Sequence, residues 1–191
     1  MAEIAAGWAF ADAFVPEDES IGAAREAAQQ FGIEPVSPAI GAAIALAASA
    51  SPGGALIEVG TGTGVSGLWL LRGAPEAQLT TIDVDLDHHQ VARTMFQAAG
   101  HPARRTRLIT GRAADVLPRM NEQAYDLVFI DADWQSVQEY FDTALTLVRP
   151  GGSVLVAHVL QQGRVPNPAK RDRATVAVSY THLTLPTNRE V

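Results

Sequence analysis

The chain has 191 residues, 47% of them hydrophobic, and a mean hydropathy of +0.06, which suits one soluble globular domain and excludes a chain disordered throughout. Its 14 basic residues are outnumbered by 21 acidic ones, for a net charge of −7, so no global field exists to hold a phosphate backbone. A small-molecule partner fits better than nucleic acid. The lack of any cysteine removes disulfides, thiolate zinc sites and cysteine nucleophiles together, in keeping with a reducing cytoplasm.

The first residues carry no signal-peptide pattern, and Glu3 and Asp12 argue against an organellar transit sequence. The weakly polar run Ala39 to Ala50 is about half the roughly 20 residues that a bilayer span needs, and reads as a buried helix. A cytoplasmic protein without a membrane segment is expected.

Ile4, Trp8, Ala11 and Val15 recur at helical spacing before Pro16, predicting a first helix. Ser20 is the expected N-cap of a second, which runs through Phe31 to Gly32. An alanine-rich third helix, Ala39 to Ser49, closes at Pro52-Gly53-Gly54. Residues 1–54 therefore read as an N-terminal helical cap that covers the core, the site or a partner. From Ala55 strands and helices alternate, the pattern of a doubly wound parallel sheet. The expected strands are Ala55 to Val59, Leu79 to Asp83, Arg107 to Thr110, Tyr125 to Asp131 and Ser153 to Ala157. The helices between them begin near Val65, Asp87, Ala114 and Ser136, and the crossovers must be right-handed. A charged loop follows Gly163, and Ala174 to Val178 could start another helix. Residues 179–191, SYTHLTLPTNREV, do not continue it and read as a non-native or disordered tail.

The organising stretch is Ala55 to Leu71, ALIEVGTGTGVSGLWLL. A buried strand ends at Gly60, Gly62 and Gly64, where the missing Cβ atoms let the backbone turn against a ligand. The helix entered near Val65 points its unpaired N–H groups at the same place. Gly62, Gly64 and Gly67 also satisfy the spacing of a dinucleotide-binding turn, so the ligand is decided by charge. Glu58, at the strand end, is expected to face the ligand and to favour the ammonium of S-adenosylmethionine over a pyrophosphate. The alternative is a strand-end carboxylate turned to solvent.

Asp83 closes the second strand, where a carboxylate accepts hydrogen bonds from both hydroxyls of a ribose. Val84 would pack on the adenine edge, and Gly111, Arg112 and Ala113 fall where the base would lie. The run Tyr125 to Asp133, YDLVFIDAD, delivers Asp131 and Asp133 to the same crevice. Four acids suit a ligand with an ammonium and a sulfonium, and a divalent cation could share them; alternatively Asp131 and Asp133 only cap the next helix. His88 and His89 cannot share a helix face and are expected to be solvated.

In order, IEVGTGTGVSGLWLL, LTTIDVD, ARTMFQAAG, TGRAADVLP, YDLVFIDAD and RPGGSVLV resemble the cation-dependent O-methyltransferase family that includes catechol and caffeoyl-CoA O-methyltransferases, especially its small bacterial members. The likeness covers Ala13 to Val178. It implies a class I methyltransferase fold of Rossmann-like type, S-adenosylmethionine contacts at Val36, Glu58, Gly60, Thr61, Ser66, Asp83, Val84 and Asp133, a substrate or metal role for Asp131, and a homodimer; Gly62 in the glycine turn and Ala113 beside the base complete the expected cofactor contacts.

Three departures from that family matter. Trp134 stands where the family places a lysine proposed as general base. Ala157-His158 replaces the Asp-Asn that completes a Mg2+ site, leaving Asp131 as the family-type ligand. His158 is thus a replacement ligand, the base itself or a structural histidine. The closing antiparallel strands of the family are not evident after Val178. The reading is methyl transfer from S-adenosylmethionine to a small-molecule hydroxyl, with Asp131 and His158 as candidate catalytic groups. A degenerate S-adenosylmethionine-binding module and an NAD-dependent oxidoreductase are the alternatives.

Overall fold

A computed structural model describes residues 2–159, with side chains from residue 6. Three helices, α1 (Ala2–Ala13), α2 (Glu19–Phe31) and α3 (Pro38–Ala48), precede β1 (Ala55–Val59) and α4 (Val65–Gly73). Then come β2 (Gln78–Asp83), α5 (Leu86–Ala98), β3 (Thr106–Thr110), α6 (Ala113–Val116) with a 3-10 turn at Leu117–Arg119, β4 (Tyr125–Ile130), α7 (Val137–Leu147) and β5 (Val148–Val156). The five strands form one sheet in the order β3-β2-β1-β4-β5, every pairing parallel. That is the doubly wound sheet expected from the alternation. The expected helix at Ala174 to Val178, the closing antiparallel strands and the 179–191 tail lie outside the described residues.

The two-residue period of β1 divides the core. Leu56 points to the face covered by α2 to α5, with Leu70 and Phe96, while Ile57 and Val59 point to the other face with Val128, Phe141 and Leu147 under α6 and α7. Ile21 of α2, Ile44 of α3 and Val36 in the connection between them belong to the same core as Leu56. α3 crosses α4 so closely that a Cβ at Gly73 would overlap the Ala45 carbonyl oxygen, a contact that only glycine permits.

Capping chemistry sets the helix starts. α2 begins two residues earlier than Ser20 suggests, because the Asp18 carboxylate accepts from the Ile21 N–H at 3.0 Å. Its end is as expected, with Gly32 at φ 67°. β5 starts at Val148 rather than Ser153 and carries Pro150. It pairs only with β4 among the described residues, with a bulge opposite Tyr125 to Leu127, and a strand with one open side tolerates a proline. At the opposite end of the sheet from the carboxyl termini, Asp126 accepts the Ala55 N–H at 2.8 Å and the Arg149 Nε–H at 2.6 Å, locking β1, β4 and β5 in register.

Candidate active site

In a parallel sheet the crevice opens where strand order reverses, outside the carboxyl ends. Here that point lies between β1 and β4. A cleft of about 270 Å³ occupies it, walled by Gly60 to Thr63 and Ser66, by Ile82 to Val84 and His88, by Gly111 and Ala113, and by Asp131 to Asp133 with Tyr140. Gly60 adopts φ 95°, and a Cβ there would overlap the Asp131 carbonyl oxygen. The glycine turn can therefore touch the end of β4 only without a side chain at this position.

Asp83 is held from both sides. Its Oδ2 accepts the Gly62 N–H at 2.9 Å and its Oδ1 the Asp85 N–H at 3.0 Å, which fixes the carboxylate while leaving each oxygen a second lone pair for a ribose hydroxyl. Asp133 is fixed too, by the Ser136 N–H at 2.9 Å and the Tyr140 hydroxyl at 2.7 Å. Burial pushes this carboxyl up, but the hydrogen bonds from Tyr140 and Ser136 outweigh it and the group lies below the usual carboxylate range. Burial and the neighbouring Asp133 push the Tyr140 hydroxyl up to about 12, so it remains a donor.

Asp131 behaves in the opposite sense. Burial raises it, the His158 imidazole works against that rise, and Glu34 adds to it. His158 Nε2 lies 3.7 Å from Asp131 Oδ1, an ion-pair separation too long for a hydrogen bond. His158 has φ 52°, an unusual conformation for a residue with a side chain. The Trp134 ring meets its imidazole edge-on at 6.3 Å.

Two of the expected contact residues do not line the cleft. Val36 is 1% exposed and sits in the core; the preceding residues Ile33, Glu34 and Pro35 form that wall of the cleft. Glu58 is fully buried and does not face the cleft, because the strand period that points Leu56 under α4 points Glu58 there as well. Its Oε2 accepts the Thr81 hydroxyl at 2.5 Å, and burial raises its pKa to about 8. The charge argument against a dinucleotide therefore passes from Glu58 to Asp131 and Asp133. Thr61 and Ser66 do line the cleft, as do Gly60, Gly62, Asp83, Val84, Ala113, Asp131 and Asp133; His158 stands beside it through Asp131.

The histidines on α5 also differ from expectation. His89 is 2% exposed, inserted between Thr61 and Thr110 at 3.1 and 2.9 Å. His88 lines the cleft, 3.5 Å from Asp83 and edge-on to Phe31. Adjacent helical residues point about 100° apart, which buries His89 and leaves His88 half-buried at the cleft. Glu34 and Tyr140 carry no sequence signal; Glu34 follows the helix-ending Gly32 and Tyr140 falls one turn into α7, positions with no motif of their own.

The donor set does not fit a family-type Mg2+ site. Among the described residues no three His, Cys, Asp or Glu side chains gather to hold an ion. Asp131 and His158 offer one carboxylate and one imidazole where magnesium prefers several oxygens.

This sheet and the cleft at its switch point define a Rossmann-like fold of the class I methyltransferase type. A family model described as O-methyltransferase matches residues 24–190, and the chain belongs to that O-methyltransferase family. The match includes the segment after Val178 that the sequence reading set apart. A Mycobacterium avium (strain 104) protein with a provisional O-methyltransferase name is 46% identical, over 89% of this chain and 77% of the relative. The O-methyltransferase TomG from Streptomyces achromogenes, involved in tomaymycin synthesis and solved with S-adenosylmethionine, superposes with TM-score 0.82 at 32% identity, covering 92% of this chain and 81% of its own. A Bacillus cereus O-methyltransferase solved with S-adenosylhomocysteine gives TM-score 0.82 at 26% identity, covering 96% of this chain and 86% of its own. The expected family, fold class and cofactor agree with these relatives. Among the described residues no helix is long and apolar enough to cross a membrane.

Proposed function

We propose that this protein moves the methyl group of S-adenosylmethionine to a hydroxyl of a small molecule, and that the Asp131–His158 pair, rather than a divalent cation, manages the acceptor's proton. The observation that carries the second half is the pair itself, 3.7 Å apart at the mouth of β4 and β5. When bound, S-adenosylmethionine supplies a methyl group already activated on a sulfonium, which leaves as a neutral thioether.

The residues of this chain then have three tasks. Asp83 and the glycine turn hold the nucleoside, with Val84 and Ala113 against the base. Asp133, ionised and oriented by Tyr140 and Ser136, faces the ammonium end of the ligand. His158 takes the hydroxyl proton: with Nε2 turned towards Asp131, its Nδ1 is left for the acceptor, and the resulting imidazolium is compensated by the Asp131 carboxylate. Holding oxygen and methyl carbon in line supplies the rest of the rate. The acceptor enters past Glu34 and Trp134.

The net charge of −7 supports a partner other than nucleic acid, and the cysteine-free sequence supports a cytoplasmic location. Trp8, Phe10 and Phe14 on and just after α1, with Leu46 on α3, are all more than 60% exposed, which supports a homodimer covering that face. The test uses S-adenosylmethionine with a labelled methyl group and catechol as the probe hydroxyl, in excess EDTA. Labelled ether should form, and His158→Gln should lower kcat by about 10²-fold or more while cofactor affinity is kept. Wild-type activity that EDTA abolishes and magnesium restores would overturn the metal-free half.

A further inference from the structure

A line of buried polar groups runs behind the cleft. Glu58 Oε2 meets the Thr81 hydroxyl at 2.5 Å, Thr81 meets Thr61 at 2.6 Å, Thr61 meets His89 Nε2 at 3.1 Å, and His89 Nδ1 meets Thr110 at 2.9 Å. Glu58, Thr81, Thr61 and His89 are each at most 2% exposed, whereas Thr110 at the end of β3 is exposed. The chain thus starts at a buried carboxyl, passes through the glycine turn, and ends at solvent.

Each hydroxyl and the imidazole can donate one hydrogen bond along the chain and accept one, so only two consistent polarities exist. With Glu58 ionised, every donor points towards it: Thr110 gives to His89 Nδ1, His89 Nε2–H to Thr61, Thr61 to Thr81, and Thr81 to the carboxylate. With Glu58 protonated on Oε2 every bond reverses, and His89 carries its proton on Nδ1. The charge state of Glu58 and the tautomer of His89 are therefore one variable.

From this geometry, and resting on the cofactor reading above, we propose that Glu58, Thr81, Thr61, His89 and Thr110 form a proton relay, and that binding of S-adenosylmethionine drives one proton out along it. In the step, Glu58 gives its proton to Thr81, Thr81 passes its own to Thr61, and Thr61 passes its own to His89 Nε2. His89 then releases its Nδ1 proton to Thr110, whose hydroxyl proton leaves to solvent. One proton departs, every intermediate link ends neutral, and Glu58 ends as a carboxylate.

The environment supplies the driving force. Before the ligand arrives the charged groups acting on Glu58 are the Asp131 carboxyl at the end of β4 and the Asp83 carboxylate at the end of β2, both of which disfavour its ionisation. α4 faces it with Ser66 and Gly67 and α5 with Phe96, none of them charged. The Thr81 and Ser66 hydroxyls favour its ionised form, but its second oxygen is buried and makes no well-aligned hydrogen bond, which a neutral carboxyl tolerates far better than a carboxylate. Burial, and then the Asp83, Arg93, His88 and Asp85 side chains, act on His89 with a net effect that keeps the ring neutral, as a relay member must be. Ser66 lies against Glu58 and also lines the cleft. A cationic ligand there adds the positive charge that this carboxyl lacks.

Titration calorimetry of the whole protein with S-adenosylmethionine, near neutral pH in phosphate and in Tris, reads the protons released from the difference in observed enthalpy. Wild type should release about one proton per cofactor bound, and Glu58→Gln should bind while releasing none. In wild type, ¹⁵N shifts of His89 should move from the Nδ1–H to the Nε2–H tautomer on binding, a readout that holds even if the variant fails to fold. Binding with no proton release, equal release by Glu58→Gln, or an unchanged tautomer would overturn the relay. Failure of wild type to bind at all would overturn the cofactor reading instead.

Discussion

Glu58→Gln should reverse sign in its effect on stability as pH rises. Burial holds the folded carboxyl at about 8, against an ordinary value of 4.5. A group raised in the folded state favours that state fully below its unfolded pKa, and the advantage is lost as pH climbs through the folded value. The difference between the two values, about 3.5 units, corresponds to about 5 kcal/mol, an upper bound for a buried site. Water penetration and relaxation should leave a few kcal/mol. Glutamine keeps the shape of the neutral carboxyl and never ionises, so other titrating groups cancel in the comparison. Melting curves from about pH 5 to 8.5 should show the variant equal to or slightly below wild type at the acid end, and gaining about 5–10 °C relative to it by the alkaline end. Parallel curves for the two proteins would refute the placement of Glu58 in a sealed, partner-poor site.

Two further substitutions separate stability from the site. Asp126→Ala removes the acceptor of the Ala55 N–H and of Arg149 at the far end of the sheet; denaturant unfolding should show a loss of about 1–3 kcal/mol, with cofactor affinity unchanged in whatever fraction is folded. Gly60→Ala puts a Cβ onto the Asp131 carbonyl at a positive φ, so the turn must move; equilibrium dialysis should show S-adenosylmethionine affinity falling by at least about tenfold, and wild-type affinity would show that the turn is not the binding surface.

How much of this was legible in the sequence depends on whether a position is governed by local chemistry or by what packs on it. β1 was readable to the residue, Ala55–Val59, because an apolar run between two glycine clusters leaves no other boundary. Asp83, Asp131 and Asp133 reached one cleft because strand ends in a parallel sheet must. Glu58 shows the limit. Its spacing from Leu56 already placed it on the α4 face, but the ligand argument treated a strand-end acid as a cleft acid and overrode the two-residue period. His89 was misread for a related reason: a polar residue on a helix looks solvated until Thr61 and Thr110, far away in sequence, are found on either side of its ring. Val36 directly follows Ile33 to Pro35, which line the cleft; its side chain is claimed by the core, and its carbonyl accepts from Arg25 at 2.9 Å.

Everything proposed for this protein requires that the crevice outside β1 and β4 accept a sulfonium nucleoside. Calorimetric titration of the purified protein with S-adenosylmethionine and, separately, NADH addresses it, with Asp83→Ala alongside. Saturable one-to-one binding of S-adenosylmethionine, weakened at least about tenfold in the variant by loss of the ribose anchor, is the outcome the account requires. Saturable binding of NADH by a protein indifferent to S-adenosylmethionine would contradict it.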